Sequence, residues 1–175
     1  DMDPSLHHLM VGVDVDNAWR HHQLGGRMDI KIDTSSTLTV SADGYQSDLN
    51  QVKSISIPNS PYMAFSNDEV SVDGWNVLAN YTKALSATSE YSIKAYYDRV
   101  SRKGDVISFS TDTVDLDFQH QFQTGRHKLV WGLGYRYILS ELQENSNIHI
   151  SDTSPSTHLW SGFLRDEITL AEDAL

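Results

Sequence analysis

A chain of 175 residues with 39% hydrophobic content, a mean hydropathy of −0.42 and a formal net charge of −11 can build one domain, and contains no run apolar enough for a transmembrane helix. Its thirteen Lys and Arg are scattered, which argues against nucleic acid as a partner, and zero cysteines exclude disulfide staples and thiolate metal sites. A membrane-spanning β-strand stays open, because only alternate residues of such a strand are apolar and hydropathy hardly registers it.

The opening "DMDPSLHHLM" has neither a basic n-region nor an apolar h-region, so no signal peptide is expected there. Either the chain is cytoplasmic or it is a mature or excised piece; the opening and the ending "AEDAL" read as the limits of such a piece, and residues 1–175 are taken as one partial domain. The first clear element is "MDIKIDTSSTLTVSADG". Met28, Ile30 and Ile32 share one face, with Arg27, Asp29, Lys31 and Asp33 on the other. A four-residue turn from Asp33 to Ser36 then leads into Leu38, Val40 and Ala42, which alternate with Thr37, Thr39, Ser41 and Asp43. This is an antiparallel hairpin. Residues 45–74, rich in Ser, Asn and Asp and containing Pro58 and Pro61, read as a long loop.

A second hairpin follows. Trp75, Val77, Ala79, Tyr81 and Leu85 lie on one face, a turn spans Ser86 to Ser89, and Tyr91, Ile93, Ala95 and Tyr97 return. Residues 100–112 read as another polar loop. The third hairpin is the most regular. Leu116, Phe118, His120 and Phe122 alternate with polar residues up to a turn at Gln123 to His127, and Leu129, Trp131, Leu133, Tyr135 and Tyr137 take alternate places after it. Residues 139–157 form a third long loop, and "LWSGFLRDEITL" a last strand with Trp160, Leu164, Ile168 and Leu170 as its apolar set.

Short turns therefore alternate with long polar loops, as in an up-and-down meander whose two ends differ. The runs 75–85, 91–99, 113–122 and 128–138 are close to the ~9–11 residues that a tilted strand needs to cross a bilayer. One face carries Arg27, Asp29, Lys94, Asp98, Asp115, Asp117 and Arg136, a mixture of signs suited to lumen water. The other carries aromatics near strand ends, as interfacial girdles do, and Lys83, which can snorkel to headgroups. The fold expected is all-β, an antiparallel up-and-down meander of about 7–8 strands belonging to a larger transmembrane β-barrel. A soluble calyx-like barrel with the aromatic face turned inward, binding an apolar small molecule, accounts for the same alternation, as does a small passive outer-membrane barrel.

Four stretches, "AWRHHQLGGRMDIKIDTSSTLTVSADGY", "GWNVLANYTKALSATSEYSIKAYYDRV", "DTVDLDFQHQFQTGRHKLVWGLGYRY" and "FLRDEITLAEDAL", resemble successive barrel strands of TonB-dependent outer-membrane receptors. Arg27 with Asp29, Tyr96 to Arg99, Asp115 to His120 and Leu129 to Arg136 match that family's strand patterns. The resemblance implies a barrel of about 22 strands with an internal plug, in the outer membrane of a Gram-negative bacterium. It also implies import of a scarce ligand, such as an iron–siderophore complex or vitamin B12, with energy delivered through TonB. No plug, energy-coupling box or C-terminal aromatic strand is evident in the sequence, which points to the N-terminal half of such a barrel. The partners implied are outer-membrane lipid, the receptor's own plug, TonB and the small ligand. An isolated piece with two open edges is expected to self-associate.

Catalysis is not expected, nor is a cofactor. The adjacent pairs His7–His8 and His21–His22 point to opposite faces if extended, and no HExxH or Cys/His pattern occurs, so no metal site is expected. Gly132–Leu133–Gly134 lacks a following helix and is no phosphate loop; its small residues leave room on the polar face for a plug. Asp115 and Asp117 share a face about 7 Å apart, a spacing suited to glycoside hydrolysis but without further support. Ligand recognition is assigned to the loops, with Tyr62, Met63 and Phe65 as candidates.

Overall fold

A computed structural model describes residues 19–56, 63–104, 108–143 and 154–170. Seven strands follow one another: β1 (Trp19–Lys31), β2 (Ser36–Ser56), β3 (Met63–Ser86), β4 (Ser89–Lys103), β5 (Ser108–Thr124), β6 (His127–Gln143) and β7 (Ser156–Ile168). They form one open antiparallel sheet in the order β1-β2-β3-β4-β5-β6-β7, so every strand pairs with its sequence neighbours and with nothing else. This is the all-β meander that the alternation implies.

The tight turns are explained by their residues. Between β1 and β2, Asp33 Oδ1 accepts the Ser35 backbone N–H at 2.7 Å and the Ser35 hydroxyl at 2.8 Å, an Asx-type turn. Those bonds hold the Asp33 carboxyl down at about 2, the Ser35 backbone N–H being the larger cause. Between β3 and β4 only residues 87–88 intervene, and the Ser86 hydroxyl accepts the Thr88 N–H at 3.2 Å. Between β5 and β6 the loop is residues 125–126, and Gly125 supplies the positive φ (58°) that a two-residue hairpin requires.

The polar stretches differ from the loops expected. Most of residues 45–74 belong to β2 and β3, which pair without interruption from Ser36↔Lys83 to Ser56↔Met63. Likewise β4 runs to Lys103 and β5 starts at Ser108, while β6 reaches Gln143 and β7 starts at Ser156, so 100–112 and 139–157 are strand at their flanks. The reason is that backbone pairing needs no apolar side chains. Where both faces of a ladder meet water, Ser, Asn and Asp can occupy it, and the period-two signal vanishes while the strand continues. Beyond Trp19↔Leu49 and Ser71↔Lys103, the β2–β3 ribbon has no neighbour strand among the described residues, and it continues for seven further rungs from Asn50↔Glu69 to Ser56↔Met63.

Register aligns residue types across the whole sheet. One row runs Met28, Val40, Ala79, Ala95, Leu116, Tyr135 and Trp160; the next runs Ile30, Leu38, Tyr81, Ile93, Phe118, Leu133 and Gly162. These rows tile one face with apolar side chains, and no other described residues cover them. Among the described residues Val70 is the one buried hydrophobic side chain, at 3% exposure, and no large side chain is fully buried. Leu133 is 59% exposed and Trp160 79%. A single sheet layer has no second layer against which to build a core.

Candidate functional site

The apolar face has two aromatic borders. At the turn end, Tyr81 and Tyr91 lie 6.0 Å apart between ring centroids, Tyr91 and Phe118 6.1 Å, and Phe118 and Trp131 5.1 Å. His120 belongs to this border. The Trp131 indole N–H donates to its Nδ1 at 3.2 Å, and its Nε2 meets the Ser89 hydroxyl at 2.9 Å. An indole can only donate, so neutral His120 carries its proton on Nε2. At the loop end, Trp75 and Tyr97 lie 4.8 Å apart, Tyr135 and Trp160 4.5 Å, and Tyr137 and His158 4.8 Å. Lys83 stands in the turn-end border, paired in register with Tyr91 and Ser36. From Trp75 to Leu85, and from Leu129 to Leu139, the apolar face extends about 33 Å along a strand, or about 25 Å of height at a tilt near 40°. That height matches the apolar band of outer-membrane barrels.

In the outermost row of this face, which runs Trp75, Arg99, Asp112 and Leu139, the surface becomes ionic. Arg99 Nη1 donates to both carboxylate oxygens of Asp112, at 3.0 and 2.8 Å, and the Tyr97 hydroxyl donates to Asp112 Oδ1. Sequence reasoning missed this cluster because it ended the pattern at Tyr97. Arg99 continues the apolar parity one step beyond Tyr97 and Asp112 two steps beyond Leu116, which would have placed them opposite one another.

On the polar face the seven residues proposed as lumen-facing all share one parity of the register. Arg27 grips Asp29 through Nε (3.1 Å to Oδ2) and Nη2 (3.0 Å to Oδ1), and Thr39 donates to Asp29 Oδ1 at 2.6 Å. Arg136 pairs with Asp115, whose side chain is only 13% exposed. The Tyr96 hydroxyl donates to Asp98 Oδ1 at 3.1 Å. Lys94 stands opposite Asp117 in register without an ion pair between them among the described residues. Asp117 instead lies across Gly134, where Asp117 Oδ1 would sit 2.9 Å and Ser161 Oγ 2.5 Å from an added Cβ.

Gly132 is similarly filled, since the Phe163 ring would come within 2.5 Å of a Cβ there. The room left by these glycines is thus occupied by β7 and β5 side chains rather than kept open. Phe163 and Leu159 put apolar groups on the polar face of β7, which explains why its alternation was the least regular.

Of the loop candidates, Tyr62 lies outside the described residues. Met63 and Phe65 are placed in β3, opposite Ser56 and Ser54, and not in a loop. His7, His8 and His149 also lie outside the described residues. His21 meets the Ser47 hydroxyl at 2.6 Å while His22 has the opposite parity. His127 opens β6 and pairs with Asp166 at 2.8 Å, and His158 lies within β7. Asp115 and Asp117, the carboxylate pair noted for its glycosidase-like spacing, meet Arg136 and the Gly134–Ser161 gap respectively.

No family model and no curated protein matches the chain. Solved structures do match. The copper transporter OprC aligns with 88% of the chain at a TM-score of 0.64 and 13% identity. The ferric-catecholate import receptor Fiu from E. coli K12, in its open form, aligns with 88% of the chain at a TM-score of 0.53 and 10% identity. The chain spans 28% of the first protein and 34% of the second. At these identities the likeness establishes a shared strand arrangement.

Proposed function

We propose that this chain is part of the transmembrane barrel of a TonB-dependent outer-membrane receptor, which imports a scarce ligand such as an iron–siderophore complex with energy from the TonB system. It works in the outer membrane of a Gram-negative bacterium, against lipid on one face and a plug on the other, and it transports rather than catalyses. The observation that carries this reading is the seven-strand apolar face, bordered by aromatics at both ends and uncovered by any other layer among the described residues. Its uncovered side chains are the right type, and its height about the right extent, for a hydrocarbon layer. The structural neighbours add support, since one is titled a transporter and the other an import receptor. A calyx would close its sheet and turn the apolar face inward, whereas among the described residues β1 and β7 do not pair with each other.

Circular dichroism and sedimentation of the chain with and without neutral-detergent micelles test the membrane half of the reading. Self-association in buffer, with dispersal and gain of β signal in micelles, is expected. A monomer with a cooperative β melt in buffer alone would favour the calyx. The import half is tested in cells that depend on the intact protein for a labelled iron–siderophore complex. Uptake should stop when the inner-membrane proton gradient is collapsed, and uptake that persists would leave only a passive barrel.

A further inference from the structure

We infer that the open edge of β7 is an interface for a second copy of this chain, the two β7 strands running antiparallel about a two-fold axis at Gly162. Among the described residues β7 has β6 on one side and no strand on the other. Two backbone bonds fix where its remaining groups point. The Thr169 N–H donates to the Arg126 carbonyl at 2.9 Å and the Ser140 N–H to the Pro155 carbonyl at 3.0 Å, and both pairs continue the β6–β7 register. Bonded pairs recur at every second rung of an antiparallel ladder, so the odd-numbered residues of β7 turn their N–H and C=O groups toward β6. The even-numbered set, which includes His158, Trp160, Gly162, Leu164 and Asp166, sends both groups to the open edge. Such unpaired edge groups template a further strand.

The same reasoning selects the partner edge. The Ile32 N–H donates to the Ser36 carbonyl at 3.1 Å, so in β1 the even residues turn to β2 and the odd ones, Arg27 and Asp29 among them, to its open edge. Residues bonded across an antiparallel pair share one face. The edge set of β7 carries the outward parity and that of β1 the inward parity. A β7 edge laid antiparallel on the β1 edge of another copy would therefore join the apolar face of one to the polar face of the other. Within one chain β1 and β7 run in the same direction and would meet in parallel. Two β7 edges pair antiparallel with both apolar faces on one side. Two β1 edges obey the same rule, but there Arg27 and Asp29 already grip each other.

Side chains fix the register. Centred on Gly162, the pairing sets Trp160 against the partner's Leu164 and His158 against the partner's Asp166, and by symmetry the reverse. His158 bonds Tyr135 through Nδ1 and Asp166 bonds His127 through Oδ2, which leaves Nε2 and Oδ1 for this contact. Moving the centre one residue, to Ser161 or Phe163, opposes His158 to the partner's Leu164 or the partner's Ile168 and loses it. The two-fold crosses the sheet, so the turn end of one copy lies beside the loop end of the other. The dimer is thus a state of this chain on its own, since further strands of a complete barrel would take the same edge.

Single cysteines report the seam directly, because the chain has none of its own. In dodecyl maltoside micelles under mild oxidation, Gly162→Cys should give a disulfide-linked dimer, since residues bonded across the axis stand about 5.5 Å apart at Cα, within disulfide reach. An added Cβ there is nearest the Leu133 Cδ2 tip, at 3.3 Å, a side-chain end that can shift. Trp160→Cys and Leu164→Cys should each link poorly alone and form a mixed dimer when combined, and Gly26→Cys on β1 should stay unlinked. Sedimentation of the parent in micelles should show a dimer. Leu164→Pro removes an edge-directed N–H but no bond to β6, so it should keep the β signal and lose the dimer. A β-structured monomeric parent would overturn the interface. So would linkage through Gly26→Cys as strong as through Gly162→Cys, linkage of Trp160→Cys alone equal to the mixture, or an undiminished dimer in Leu164→Pro.

Discussion

At the scale of single residues, the hairpins depend on a few backbone and carboxylate positions. Gly125 sits at φ 58°, where a Cβ costs roughly 1–2 kcal/mol. Gly125→Val should therefore lower the urea midpoint of the micelle-bound chain, while the neighbouring Arg126→Val should do much less. Gly132 fails for a different reason, because a Cβ there would stand 2.8 Å from the Phe118 carbonyl oxygen as well as against the Phe163 ring. Gly132→Ala is expected to cost about 1–3 kcal/mol by overpacking, and Phe163→Ala should recover only part of that, since the carbonyl remains.

Asp33 introduces pH dependence in the first turn. Its folded value is lowered to about 2, so its contribution is fully present above the unfolded value of about 3.9 and disappears as pH falls through the folded one. Stability measured between about pH 4 and pH 2 should fall more in the parent than in Asp33→Asn, which keeps an acceptor oxygen but cannot titrate. Equal slopes would remove Asp33 from the account.

At the scale of strands, parity decides what a substitution does. Leu116 and Gln119 lie on opposite faces of β5 within three residues of each other. If the apolar face meets hydrocarbon, Leu116→Arg should cost about 2–4 kcal/mol of stability in micelles or bilayers, and Gln119→Arg close to nothing. Equal costs would mean equal surroundings. The same parity explains what could be read from sequence. Every tight turn, and the apolar set of each hairpin, was visible because side chains alternate where two faces meet different media. Strand length was not visible. Residues 45–56 and 63–74 lack alternation, and they pair through backbone groups that every residue except proline possesses in full. The Arg99–Asp112 pair was hidden because the outward pattern was ended at Tyr97, although the pair stands in the same row as Trp75. The filling of Gly132 and Gly134 was hidden because it depends on β7, whose own pattern is apolar on both faces near Leu159 and Phe163.

At the scale of the molecule, the sheet has extensive backbone pairing but almost no interior. Its exposed ion pairs, such as Arg27–Asp29 and Arg165–Glu167, are screened by water and contribute little. On the barrel reading proposed above, the burial of apolar surface that normally drives folding comes from lipid against one face and neighbouring protein along the edges β1 and β7. The chain spans about a third of the length of the structures it matches.

The most direct test uses the absence of native cysteine, which allows single labels to be placed without background. A spin label or environment-sensitive fluorophore is attached in turn to cysteines at Ser92, Ile93, Lys94, Ala95 and Tyr96, along the middle of β4, in the lipid-reconstituted chain. Collision with a lipid-borne quencher should be high at Ile93 and Ala95 and low at Ser92, Lys94 and Tyr96, with the water-borne quencher showing the opposite order. Quenching from water alone at all five positions, or lipid contact at the even positions, would contradict a lipid-facing apolar surface.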